Sequence, residues 1–76
     1  MKLSDLNVGD VAEVVGFDGG DRSYRSRLMA MGLTPGTQFR LKRLAPLGDP
    51  VEVEVRGFSL SLRRAEADAV QVQRHE

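Results

Sequence analysis

A chain of 76 residues with no cysteine is one small domain, residues 1–76, without recourse to disulfides, thiolate zinc sites or thiol catalysis. Its 11 basic residues balance 11 acidic ones, which speaks against bulk electrostatic binding to nucleic acid or to an anionic membrane. At 41% hydrophobic and 29% charged the composition is globular, and no window approaches the roughly 20 apolar residues of a membrane span or resembles a secretory signal.

In chain order, Leu3, Leu6 and Val8 predict a turn that plugs one end of the core. Val11 to Phe17 is apolar and β-branched and predicts a first strand. Val11, Val15 and Phe17 fall on one face and Ala12 and Val14 on the other, so cover is expected on both sides for part of its length. The loop "DGGD" follows at residues 18 to 21; it lacks the lysine and Ser/Thr of a phosphate loop. Asp21 suits a helix N-cap, because its carboxylate can accept the free amide hydrogens of the first turn. Tyr24, Leu28 and Met31 then recur on one helical face over about two and a half turns. Gly32 suits the left-handed residue after the C-cap, with Leu33 lying back on Leu28. Thr34-Pro35-Gly36-Thr37 suits a type II turn: proline presets the first central residue and glycine supplies positive φ at the second. Met29 is off the core face, nearer Arg22 and Arg25. It suits either a boundary residue filling an irregular gap or an adaptable contact for a partner.

Thr37 to Leu44 alternates Phe39 and Leu41 against Arg40 and Lys42. Ala45 to Pro50, "APLGDP", is a loop stiffened by two prolines. Val51 to Val55 and Phe58 to Leu62 form a hairpin about Arg56-Gly57, pairing Val55 with Phe58, Val53 with Leu60 and Val51 with Leu62 on one buried face. Residues 63 to 68 predict a short helical turn, and Val70 and Val72 share one face of a last strand. About five short strands, one helix after the first and a helical turn before the last make a mainly β fold. Such a sheet is expected to bend strongly and close into a small barrel, removing its edges.

Chemistry is sparse. No Cys/His or Ser/His/Asp arrangement is present. The single histidine, His75, sits one residue from the C-terminus and is expected to be a solvated tail. Glu52 and Glu54 should face Arg40 and Lys42 as a solvated ion-pair ladder rather than act as oxygen ligands. One tyrosine and three phenylalanines, mostly inward, offer no stacking platform for nucleic acid. Leu47, apolar between two prolines, either covers the barrel end or forms a preorganised hook. The candidate partner-binding residues are Arg25, Met29 and Leu33 at the helix end and Leu47, Gly48 and Asp49 in the loop. No residue is nominated as a metal ligand.

"YRSRLMAMGLTPGT" followed by "APLGDPVEVEVRGFSLSLRRAEADAV" resembles the FeoA family, small cytoplasmic companions of the bacterial ferrous iron transporter. The resemblance runs from Leu6 to Val72. Similar domains end iron- or manganese-dependent repressors of the diphtheria-toxin-repressor type, but no helix-turn-helix part is present here. The resemblance implies an SH3-like barrel without catalysis. Its implied partner is an FeoB-type ferrous iron permease, met on its cytoplasmic GTP-binding side. It implies no nucleic-acid partner and no direct membrane insertion. The location is then cytoplasmic, peripheral at the inner membrane through the partner, and the state is a monomer or weak homodimer. No cofactor is required. The alternative is a metal-responsive sensor that binds divalent iron weakly through carboxylates.

Overall fold

The computed structural model describes residues 1–18 and 22–75. Five antiparallel strands form one sheet: β1 (Val11–Phe17), β2 (Gln38–Leu44), β3 (Val51–Val55), β4 (Phe58–Leu62) and β5 (Val70–His75), in the order β4-β3-β2-β1-β5. Helix α1 (Arg22–Ala30) lies between β1 and β2, α2 (Arg64–Asp68) precedes β5, and a single 3₁₀ turn covers Leu3–Asp5. The N-cap expected at Asp21 lies outside the described residues.

Two register shifts bend the sheet. One falls between Val14 and Gly16 against β5, the other between Leu41 and Arg43 against β3. Each leaves an extra residue on one strand, which increases twist locally and lets a sheet of short strands wrap on itself. The sequence led one to expect closure into a barrel without edges; the sheet bends into the SH3-like form that the resemblance implies, but β4 and β5 remain its two edges.

The core sits inside this curl. Along β1, Ala12 and Val14 are fully buried, while Val11 and Val15 stay substantially exposed. Ala12 and Val14 thus face inward, where the type II turn meets the strand, and cover of the other face is confined to its end, where Phe17 packs against the core past the register shift. Leu3 and Leu6 plug the core as expected, but Val8 is 58% exposed, beyond the end of the plug. The hairpin register is as expected at every pair from Val51↔Leu62 to Val55↔Phe58. Arg56 and Gly57 both adopt positive φ, 52° and 82°, as a type I′ turn requires. Burial fades towards the turn on β4 alone. Val51, Val53 and Val55 of β3 are all buried, as is Leu62, but Leu60 is only partly so and Phe58 is 74% exposed. β3 is flanked on both sides and β4 only on one, so the first inward-facing position of β4 meets solvent although its partner Val55 does not.

Helix α1 ends as the sequence predicts. The Leu33 N–H donates to the Leu28 carbonyl at 3.0 Å and the Gly32 N–H to that of Met29 at 3.1 Å, with Gly32 at φ 101°. This is the Schellman pairing, and Leu28 and Leu33 are both fully buried beside it. The next turn follows at once: the Thr37 N–H donates to the Thr34 carbonyl at 3.0 Å, and Gly36 has φ 91°. Its Gly36 N–H reaches back to the Val14 carbonyl at 2.7 Å, clamping the turn onto β1.

Candidate functional site

The Ala45–Pro50 loop carries the most exposed apolar side chain of the described residues, Leu47, at 90%. Three hydrogen bonds pin its backbone. The Ala45 N–H donates to the Pro50 carbonyl at 3.2 Å and the Gly48 N–H to that of Ala45 at 2.8 Å, while the Arg64 N–H donates to Asp49 Oδ1 at 3.3 Å. Gly48 takes φ 80°, a conformation that favours glycine. Gly48 and Asp49 therefore hold the loop in shape against α2, and Leu47 projects from a fixed base instead of covering the barrel end.

Arg25 and Met29 lie on α1. The Arg25 guanidinium carbon stands 5.8 Å from the centre of the Phe17 ring, a cation–π contact that ties the helix to the end of β1. Met29 is 38% exposed in the last turn of the helix. Leu33 is fully buried, so as a side chain for direct partner contact it is corrected: its place is the core side of the Schellman ending.

The loop and α1 both touch α2: Arg27 of α1 meets Glu66 at 3.3 Å, and the loop's Asp49 accepts from the Arg64 N–H at 3.3 Å. The loop flanks the Val51 end of β3, where Ala45 bonds to Pro50 and Asp49 to Arg64. The end of α1 flanks the other end, where Met31 and Gly32 border a hollow with Val55, Phe58 and Leu60. At about 3.3 Å per residue, the length of β3 puts roughly 13 Å between the loop and the Met31–Gly32 segment.

In the hairpin and in α2 one residue was misjudged in the sequence and one was not singled out. Phe58 alternates correctly for a core position but lies on the edge strand, beside the turn. Glu66 is 1% exposed although it is charged. Its Oε1 accepts the Arg63 N–H at 2.9 Å, and its Oε2 lies 3.3 Å from Arg27 Nε. The available signal was its place three residues after Arg63 at a helix start, where an acidic side chain reaches back to cap the turn.

Every described carboxylate has a partner within the chain. Arg40 meets Glu54 at 3.5 Å and Lys42 meets Glu52 at 3.8 Å, forming the ladder expected between β2 and β3. Arg74 meets Asp10 at 3.4 Å and His75 Nε2 meets Glu13 Oε1 at 3.2 Å. His75 is therefore paired within β5, opposite Val11, and is not a loose tail. Asp5, Asp18, Asp49 and Asp68 accept hydrogen bonds from the Lys2 N–H, Gln71, the Arg64 N–H and Ser4. Among the described residues no three His, Cys, Asp or Glu side chains converge on one point, so the donor set does not fit a resident metal ion. No described helix is long and apolar enough to cross a membrane.

A bent five-stranded antiparallel sheet with one helix in its first long connection and a second before its last strand is a small SH3-like domain. The matches to known proteins agree and are more specific. A family model for the FeoA domain matches residues 1–74, and the chain belongs to the FeoA family. The FeoA protein of Chlorobium tepidum superposes with a TM-score of 0.88 at 44% identity, covering 97% of this chain and 70% of that one. FeoA of Stenotrophomonas maltophilia, solved with zinc and described as a prokaryotic SH3 domain protein, superposes with a TM-score of 0.82 at 29% identity, covering 96% of this chain and 89% of that one. The Fe(2+) transport protein A/FeoB fusion protein of Porphyromonas gingivalis is 36% identical over 73 residues. That match takes in 96% of this chain but only 8% of the fusion protein's length.

Proposed function

We propose that this chain is a non-enzymatic, cytoplasmic accessory protein of bacterial ferrous iron uptake. It docks on the cytoplasmic GTP-binding side of an FeoB-type permease, modulates its GTPase or gating, and meets the inner membrane only through that partner. The observation that carries this reading is the Porphyromonas gingivalis relative, in which a 36% identical domain and an Fe(2+) transporter are one polypeptide. Fusion holds two modules at high effective concentration, which serves modules that act on each other.

The docking anchor is Leu47. A large apolar side chain held 90% exposed on a pinned loop loses little entropy on insertion into a partner pocket. Gly48 and Asp49 keep that loop in shape, and Met29 with Arg25 makes a weaker contact on α1. The test is capture of the isolated GTP-binding domain of the cognate permease, beside its GTP hydrolysis rate. Leu47→Ala should weaken capture about tenfold and abolish any effect on hydrolysis, and Met29→Ala should weaken capture less. Normal capture by Leu47→Ala would place the docking surface elsewhere on the domain.

A further inference from the structure

β4 is an edge strand, and its outer rim is bare. The two-residue turn makes Val55 and Phe58 a hydrogen-bonded pair. Alternation along an antiparallel ladder then points the N–H and C=O groups of Phe58, Leu60 and Leu62 towards β3, and those of Ser59 and Ser61 away from it. Among the described residues no backbone hydrogen bond from another element reaches Ser59 or Ser61. Beside the rim lies a hollow of about 380 Å³ whose lining includes Met31, Gly32, Val55, Phe58 and Leu60. An open edge of this kind is a template for one more strand.

Charge says which strand. Arg56 stands at one end of β4 and Arg63 at the other, both exposed and neither in an ion pair among the described residues. The described carboxylates, by contrast, are all engaged within the chain. A sequence of zero net charge thus presents unpaired guanidinium groups at both ends of its bare rim. A second copy of this chain fits poorly. Pairing two β4 strands antiparallel through both serines brings the turn arginine Arg56 of each copy to the end where Arg63 and Arg64 of the other stand, and like charges gathered there repel.

We infer that β4 takes up, as a sixth strand, an extended segment of another protein that alternates apolar and acidic residues. Its backbone pairs with Ser59 and Ser61. Its apolar side chains enter the hollow beside Phe58 and Leu60, which Arg56 also lines, and its carboxylates fall on the Ser59 and Ser61 face, where Lys42 Nζ already reaches Ser59 Oγ at 2.9 Å and Arg63 stands at the far end. This surface is separate from Leu47 and operates whether or not that loop docks on a permease.

The probe is a short blocked peptide alternating valine with glutamate, titrated into the isotope-labelled full chain, with a valine–lysine peptide as comparison. The glutamate peptide should shift the resonances of Phe58 to Ser61, slow amide exchange at Ser59 and Ser61, and bind at least about tenfold tighter than the lysine peptide. Joint Arg56→Glu and Arg63→Glu substitution should reverse that preference. Ser61→Pro removes an outward N–H from an edge strand, where proline is tolerated, and should weaken binding about tenfold while the thermal melt stays cooperative. Leu47→Ala should bind the peptide as the unaltered chain does, which separates this surface from permease docking. Unshifted β4 resonances, a preference unchanged by charge reversal, or normal binding by a folded Ser61→Pro would overturn the inference. Sedimentation showing that these variants abolish a dimer would overturn it in favour of a second copy. Should Ser61→Pro fail to fold, the charge-reversal variant and the amide exchange of the unaltered chain decide the matter.

Discussion

At Glu66 a carboxylate lies almost wholly out of water, held by one backbone N–H and one guanidinium. Buried charge is costly unless both hydrogen bonds and an opposite charge compensate it, and here Arg63 and Arg27 supply them from α2's start and from α1. Glu66→Ala leaves the Arg63 N–H unsatisfied and opens a gap, and should cost roughly 1–3 kcal/mol. Arg27→Ala leaves the carboxylate without its cation, but the Arg27 side chain is 57% exposed and water replaces part of the interaction. It should therefore cost less, about 1 kcal/mol. Urea unfolding of the two single variants and the double variant measures this. Additive losses would show that the pair is not coupled. Leu47 presents the opposite case at the same scale. With 90% exposure it has little burial to lose, so Leu47→Ala should change stability by about half a kcal/mol or less, whatever it does to binding.

At the scale of elements, α1 is a nine-residue helix, too short to persist alone, and its ends and packing decide its stability. Its C-terminus depends on a left-handed residue. A Cβ added at Gly32 would meet nothing within 4 Å, so the cost of Gly32→Ala lies in the backbone at φ 101° and not in a clash. A loss of about 1 kcal/mol is expected, or a melting temperature roughly 4–8 °C lower for a domain of this size. A thermal melt tests it, and an unchanged midpoint would mean that the Schellman ending contributes nothing. The β3–β4 hairpin is organised differently. Its register is set by the type I′ turn at Arg56-Gly57 and by Val51, Val53 and Leu62 on the buried face. Phe58 lies outside that burial, so truncating it should leave folding nearly intact, unlike a change at Val53.

For the whole molecule, one small core serves every strand. Val53 is fully buried at its centre, and an unpaired carboxylate there costs several kcal/mol against a total stability of only about 5–10 kcal/mol. Val53→Asp should abolish the cooperative melt of the domain, as circular dichroism would show. A near-normal melt would contradict the burial of that face. Electrostatics also act globally here: the described carboxylates are occupied by internal partners, so few are left to hold an ion. Anaerobic calorimetry should find no ferrous iron binding to the monomer tighter than roughly micromolar. Tighter binding that survives His75→Ala would favour a metal-responsive role.

The sequence by itself determined the elements and their local endings. The glycine at 32, the Pro35-Gly36 and Arg56-Gly57 pairs and the alternation of β3 and β4 act over a few residues, where backbone sterics and side-chain period are decisive. The family likeness was legible for the same reason, since its motifs are these turns and endings. Only the tertiary structure decided which alternating positions are covered. Phe58, Val8 and Val15 have the pattern of core residues yet are exposed, and Glu66 has the character of a surface residue yet is buried. The buried or bare state of such a side chain depends on where the curled sheet and its helices end in space. That follows from contacts between residues far apart in the chain, which neither local propensity nor period encodes. The open rim of β4 was settled in the same way, by how five strands are ordered and not by any one of them.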